Sequence, residues 1–340
     1  MDNLCILGLD FCRLRSVDKF IKYIVSKYKH IDFLINNAAT TVRRTPDFYR
    51  DIIEIEKKKL PPNIPPKLVI QYEHFTDSFE VAPPLMIDGS ENAKAIEYKK
   101  NERSQRTENI INAVLGDLGD FDEHSQPIDL RNNNSWTATL GHIHPVEIME
   151  TIMVNQFVPF LFINQLIPLL SNKKQLHKRK QYYNSENNRE DIWKEVSDRS
   201  ESVRRSYVIN VSAMEGRFHF FKQGTHPHTN MAKAALNMLT RTSALKLAQK
   251  HNVFMVSVDT GWVTDELPLK RRIKSKIFQR DQQNLTETEK KKKKDKNDFI
   301  FHAPLDEIDG AARVLHPIWN GLRGKPYCGV FLKDYRRIDW

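Results

Sequence analysis

Cysteine is scarce in this chain of 340 residues. Cys5, Cys12 and Cys328 are too few and too scattered for a disulfide scaffold or a structural zinc cluster, and a reducing compartment, the cytoplasm, is expected. No run of eighteen apolar residues occurs, so no transmembrane segment is expected. The first residues, Met1 to Gly8, carry no basic stretch and do not read as a signal peptide. At 40% hydrophobic the chain falls short of the usual globular share, which assigns part of it to solvated insertions. Net charge is +10, but twelve Lys/Arg against four Asp/Glu between Lys270 and Lys296 supply +8 of it. That tract holds one aromatic, Phe278, too little for stacking on bases. It matches no DNA-reading motif, so no specific nucleic acid is expected as partner. It reads as a solvated loop.

What is present is a regular alternation. Strand-like runs fall at Leu4–Leu9, Ile31–Ile35, Tyr207–Val211, Val253–Val258 and Tyr327–Leu332. Helical periodicity lies between them, at Val17–Tyr28, Pro145–Leu170 with a kink expected at Pro159, Met231–Ala248 and Ile308–Trp319. Strands alternating with helices predict an α/β fold, a doubly wound, Rossmann-like, mostly parallel sheet covered on both faces. The core is expected over 1–40 and 136–340. A long surface insertion covers 41–135, a charged one 171–205, and a basic low-complexity loop 267–298.

Five segments carry chemistry. Asn36-Asn37-Ala38-Ala39 follows a strand, and Asn155 lies in a long helix. Val208-Ile209-Asn210-Val211-Ser212 is a strand followed by Gly216. Ala232-Lys233 starts a helix, and Asp259-Thr260-Gly261-Trp262-Val263-Thr264 closes the next strand. Taken in order, these resemble the short-chain dehydrogenase/reductase family, in an unusual branch. The resemblance implies an NAD- or NADP-dependent oxidoreductase acting on a small-molecule carbonyl or alcohol, and leaves homo-oligomerisation open. It implies that Asp10 faces the adenine, that Ala38 lines its ribose, and that Asn36 and Asn37 belong to the cofactor-binding set. Lys233 would hold the nicotinamide ribose, Gly261 would allow backbone approach, and Val263 and Thr264 would meet the carboxamide. Ligands of doubly wound sheets lie beyond the carboxyl ends of the strands, where these residues fall.

The resemblance also exposes departures. The family's catalytic tyrosine stands four residues before the lysine, where this chain has Thr229, a far weaker acid. The carbonyl-orienting serine is replaced by Ala213, with Ser212 in the position before it. The catalytic set reduces to Asn155 and Lys233, with Thr229 in the tyrosine's place. His226 and His228 flank that place, and an imidazole titrating near neutrality is an alternative proton donor. The same pair with His142 and His144 lacks a further ligand at usable spacing, so no metal is expected. Gly8 is the only early glycine, and no glycine-rich phosphate turn precedes Asp10. The resemblance therefore implies a fold incomplete at its N-terminus, with NAD or NADP bound weakly or not at all by the chain as written. Two readings stay open: an oxidoreductase with an altered or degenerate active site, and a catalytically inactive binding or interaction protein.

Overall fold

The computed structural model describes residues 4–44, 128–171, 205–218, 222–273 and 303–340. Its centre is a sheet in the order β1-β2-β3-β4-β5. The strands are β1 (Phe33–Asn36), β2 (Ser206–Ser212), β3 (Val253–Asp259), β4 (Phe331–Lys333) and β5 (Arg336–Ile338). The first four are parallel and β5 returns antiparallel to β4. All seven residues of β2 and of β3 are buried, which is why both read as apolar, β-branched runs rather than alternating ones.

Helices cover both faces. Phe33, Tyr207 and Phe254 stand side by side in register on one face, with ring centroids 6.0 and 5.8 Å apart. The helix α5 (Glu307–Leu322) packs there, burying Val314 and Ile318 and bringing Gly321 against the Tyr207 ring. The opposite face carries a polar row. Asn36 donates to Asn210 (2.8 Å), Asn210 donates to Thr240 (2.9 Å), and Ser257 also donates to Thr240 (2.9 Å). Thr240 belongs to α4 (Pro227–His251), the longest helix among the described residues. It starts on a proline and ends at Asn252 in the left-handed conformation.

The helix α1 (Leu14–Lys27) buries Val17 and Ile21, on the spacing expected for an amphipathic helix. The expected helix Pro145–Leu170 is present with an interruption. It divides into α2 (Pro145–Ile152), a π-helical turn Met153–Phe157, and α3 (Val158–Leu170). Pro159 has no N–H to offer the carbonyl of Asn155, so the helix widens just before it. By length and composition Pro145–Leu170 is apolar enough to cross a membrane. Here α3 buries Phe162, Leu166 and Leu170 in the core beneath the sheet.

Two expectations about strands are corrected. Leu4–Leu9 joins no strand. Leu4 and Ile6 are exposed, and no strand among the described residues pairs with this run. The last parallel strand is shorter than Tyr327–Leu332, at Phe331–Lys333, and the hairpin to β5 was not expected. Of the 41–135 stretch, residues 41–44 and 128–135 are described and pack on the core. Asp129, Asn134 and Ser135 are buried, and Asn134 donates to the Glu266 carbonyl. Of 267–298, residues 267–273 are described, and Leu269 and Ile273 are buried. The basic run Lys290–Lys296 and most of 171–205 lie outside the described residues.

Candidate functional site

The expected site residues gather at the carboxyl edge of the sheet in two groups. The first lies past β1. Asn155 projects from the π-helical turn, and both its side-chain oxygen and nitrogen are hydrogen-bonded. Its carbonyl accepts from the Thr40 N–H (2.7 Å) and its amide donates to the Thr40 carbonyl (2.7 Å). A widened helical turn thus clamps the loop that carries Asn37 and Ala38, both exposed. Asn36, Asn37 and Ala38 line a groove of about 230 Å³ together with Phe11, Phe20 and Phe162. Asp10 sits at the adjoining turn. Its carboxylate accepts from Cys12 N–H (2.9 Å) and pairs with Arg13 (3.3 Å), opening α1.

The second group lies past β2 and β3. Lys233 is buried on the first turns of α4, and its ammonium donates to the Val211 carbonyl (2.9 Å). Among the described residues this is one acceptor for three protons. Burial pulls its pKa down from 10.5 to about 8, against the opposing pull of the Glu215 and Asp259 charges. Gly216 must be glycine for this arrangement. A Cβ there would stand 2.5 Å from the Lys233 backbone carbon. Asp259 ends β3 and accepts from the backbone N–H of Met214 (2.7 Å) and of Gly261 (2.6 Å), tying the two loops together. Gly261 adopts φ +79°, which favours glycine, and Leu305 packs where a side chain would stand. Val263 lies against Gly310 of α5, and Thr264 is exposed and donates to Glu266 (3.3 Å).

Thr229 is buried and its hydroxyl has no hydrogen-bond partner among the described residues, the Lys233 ammonium included. The Ser212 hydroxyl is likewise buried and unpartnered. The two histidines beside Thr229 differ. His226, at φ 41°, stacks on Trp136 (4.0 Å between centroids, 7° between planes) and donates from Nδ1 to the Trp136 carbonyl (2.7 Å). His228 is buried with Nε2 3.4 Å from a Glu147 carboxylate oxygen, longer than a well-formed hydrogen bond. Burial pushes the Glu147 carboxyl up, but contacts with His228 and Ser135 outweigh this and leave it below its ordinary value. No sequence signal singled out Glu147 or Trp136, because each meets its histidine only through the tertiary fold. Among the described residues no three His, Cys, Asp or Glu side chains group as a metal site.

No family model matches the chain. Among curated proteins it is similar to the uncharacterized protein R665 of Acanthamoeba polyphaga mimivirus, 28% identical over 228 residues. The match covers 64% of this chain and 36% of that protein, so the chain spans about a third of the relative's length. Similar solved structures include a short-chain dehydrogenase from Streptomyces avermitilis (12% identity, TM-score 0.35, 76% of this chain and 48% of that one). A short-chain dehydrogenase/reductase from Burkholderia multivorans with bound NADP matches at 16% and TM-score 0.35, over 71% of this chain and 76% of that one. NADPH-bound carbonyl reductase from chicken fatty liver matches at 15% and TM-score 0.33, over 99% and 98%. At these scores the fold assignment rests on the sheet itself: α/β, mostly parallel, with helices on both faces.

Proposed function

We propose that the chain is an NAD- or NADP-dependent oxidoreductase of the short-chain dehydrogenase/reductase type with an altered proton donor, acting on a small-molecule carbonyl or alcohol. The observation that carries this reading is Lys233. An ammonium buried at the carboxyl edge of the sheet, with its pKa lowered to about 8 and one acceptor among the described residues, weakens the fold. Such groups mark functional sites.

The residues fit the nicotinamide-ribose end of the cofactor. The Ser212 and Thr229 hydroxyls are buried without partners among the described residues, and Lys233 has protons to donate. The fit goes no further, since among the described residues no glycine-rich turn opens a helix. The bound nicotinamide would supply or accept a hydride. Lys233 would hold the ribose hydroxyls through its remaining protons. Thr229 is too weak an acid to replace a phenol, so the proton falls to His228. Neither of its ring nitrogens has a hydrogen-bond partner among the described residues, and the Glu147 carboxylate lies 3.4 Å from Nε2.

A second reading, a non-catalytic binding protein, is favoured by the enclosure of Asn155 and Thr229, each 1% exposed, and by the commitment of both Asn155 side-chain atoms to Thr40. Fluorescence titration with NADH and NADPH, followed by turnover on a panel of ketones, aldehydes and alcohols, separates the two. Turnover that falls by about 10²–10⁴-fold in His228→Ala supports the altered donor. Cofactor binding without turnover on the whole panel supports the second reading.

A further inference from the structure

Beside the Glu147–His228 pair lies an open cleft of about 550 Å³ whose wall carries four guanidinium groups, Arg43, Arg44, Arg131 and Arg271. Among the described residues the one carboxylate on that wall is Glu147, which is turned to His228. Most arginines are fixed from behind. The buried Asp129 accepts from Arg44 (2.8 Å) and from both Nε and a terminal nitrogen of Arg131 (2.8 Å each). Arg44 also stands 3.9 Å from the Glu266 carboxylate, so Asp129 is shared between two cations, one of which has a second anionic neighbour. Burial pushes the Asp129 carboxyl up, but hydrogen bonds from Arg131 and Asn134 override it and hold it at about 2, so it stays ionised. Glu150 holds Arg43 through Nε alone (2.8 Å). Arg271 bonds to neutral acceptors, the Asn132 carbonyl (3.2 Å) and the Asn133 side chain.

Guanidinium groups anchored this way lose little freedom on binding and suit oxyanions, which they meet with paired N–H groups. The volume suits a small molecule rather than a polymer. The cleft also reaches the candidate site, because Glu147 lines it and touches His228, next to Thr229.

We propose that this cleft binds a phosphate or carboxylate group, so that the substrate is an anionic carbonyl or alcohol compound. The substrate assignment rests on the oxidoreductase reading; the anion site does not. The test is calorimetric titration of the full chain with inorganic phosphate and, separately, succinate, each against sodium chloride at matched ionic strength. Arg43→Gln and Arg271→Gln are the variants, since neither removes a partner of Asp129, and circular dichroism checks that both stay folded. Saturable binding is expected, weakened about tenfold in each variant, as for loss of one charge-assisted hydrogen bond. Tighter binding of phosphate points to a phosphorylated compound, and of succinate to a carboxylated one. Heats no larger than those of chloride, or affinities unchanged in both variants, overturn the proposal. Saturable anion binding without turnover on phosphorylated or carboxylated carbonyls strikes the oxidoreductase reading alone.

Discussion

Replacing Lys233 with methionine should make the protein more stable at neutral pH, and the gain should vanish in alkali. The pKa falls from 10.5 to about 8 on folding. Each unit is worth ~1.4 kcal/mol, so the folded state carries a penalty of about 3 kcal/mol wherever the lysine is charged in both states. Methionine matches the length of the stem and carries no charge. Its cost is the bond to the Val211 carbonyl, worth about 1 kcal/mol, so the net gain at neutral pH is about 2 kcal/mol. The sign with pH follows from proton counting. Between about 8 and 10.5 the unfolded chain keeps the Lys233 proton and the folded chain has released it. Wild-type stability therefore gains from this residue as pH rises through that window, and the variant gains nothing. Urea melts of both proteins in steps from neutral pH to 10.5 give the difference, from which the shared tyrosines and cysteines cancel. A variant less stable than wild type by the same amount at every pH would refute the desolvation argument and with it the functional reading of Lys233.

Asn155→Leu should cost about 3 kcal/mol, because it strands both backbone groups of Thr40 in a partly buried loop, and a urea melt measures it. Gly216→Ala should cost about 1–3 kcal/mol, since the new methyl meets backbone rather than a movable side chain; a thermal melt at neutral pH would show it, and an unchanged midpoint would contradict the packing described. Burial lowers the His226 pKa below 6.5, so the unfolded chain takes up the proton first as pH falls. The stability associated with neutral His226 is present above 6.5 and is lost as pH drops through the folded pKa. His226→Asn tolerates the left-handed backbone, so it should flatten that slope and change the emission of Trp136, whose stacking partner it removes.

The parts of the fold legible in the sequence are those where one physical demand dominates. The central strands β2 and β3 need apolar residues on both faces, and Tyr207–Val211 and Val253–Val258 show this openly. Leu4–Leu9 shows the same composition, but a strand exists only with a partner, and composition cannot supply one. The β4–β5 hairpin was missed for a local reason. Its turn residues, Asp334 and Tyr335, both have positive φ, and no glycine announces them. At the site, Lys233 and Asn155 were readable from the family resemblance of the segments that carry them. The Glu147–His228 contact and the Arg44–Asp129 pair were not, because they join segments separated by long stretches of chain.

The polar row Asn36–Asn210–Thr240–Ser257 has a consequence for how the sheet is assembled. A two-residue slip of β1 along β2 would keep apolar faces inward, so burial alone penalises it weakly. The row does not tolerate it: Asn36 would then face Val208 or Ser212 in place of Asn210, and the buried Asn210 side-chain carbonyl would lose its donor. Since Thr240 receives protons from both Asn210 and Ser257, the same row also sets the height of α4 over the strands. That height places Thr229 and Lys233 level with the strand ends. The alignment of the candidate site is thus written into a line of amides and hydroxyls a few turns away, in the part of the core where polar groups are least expected.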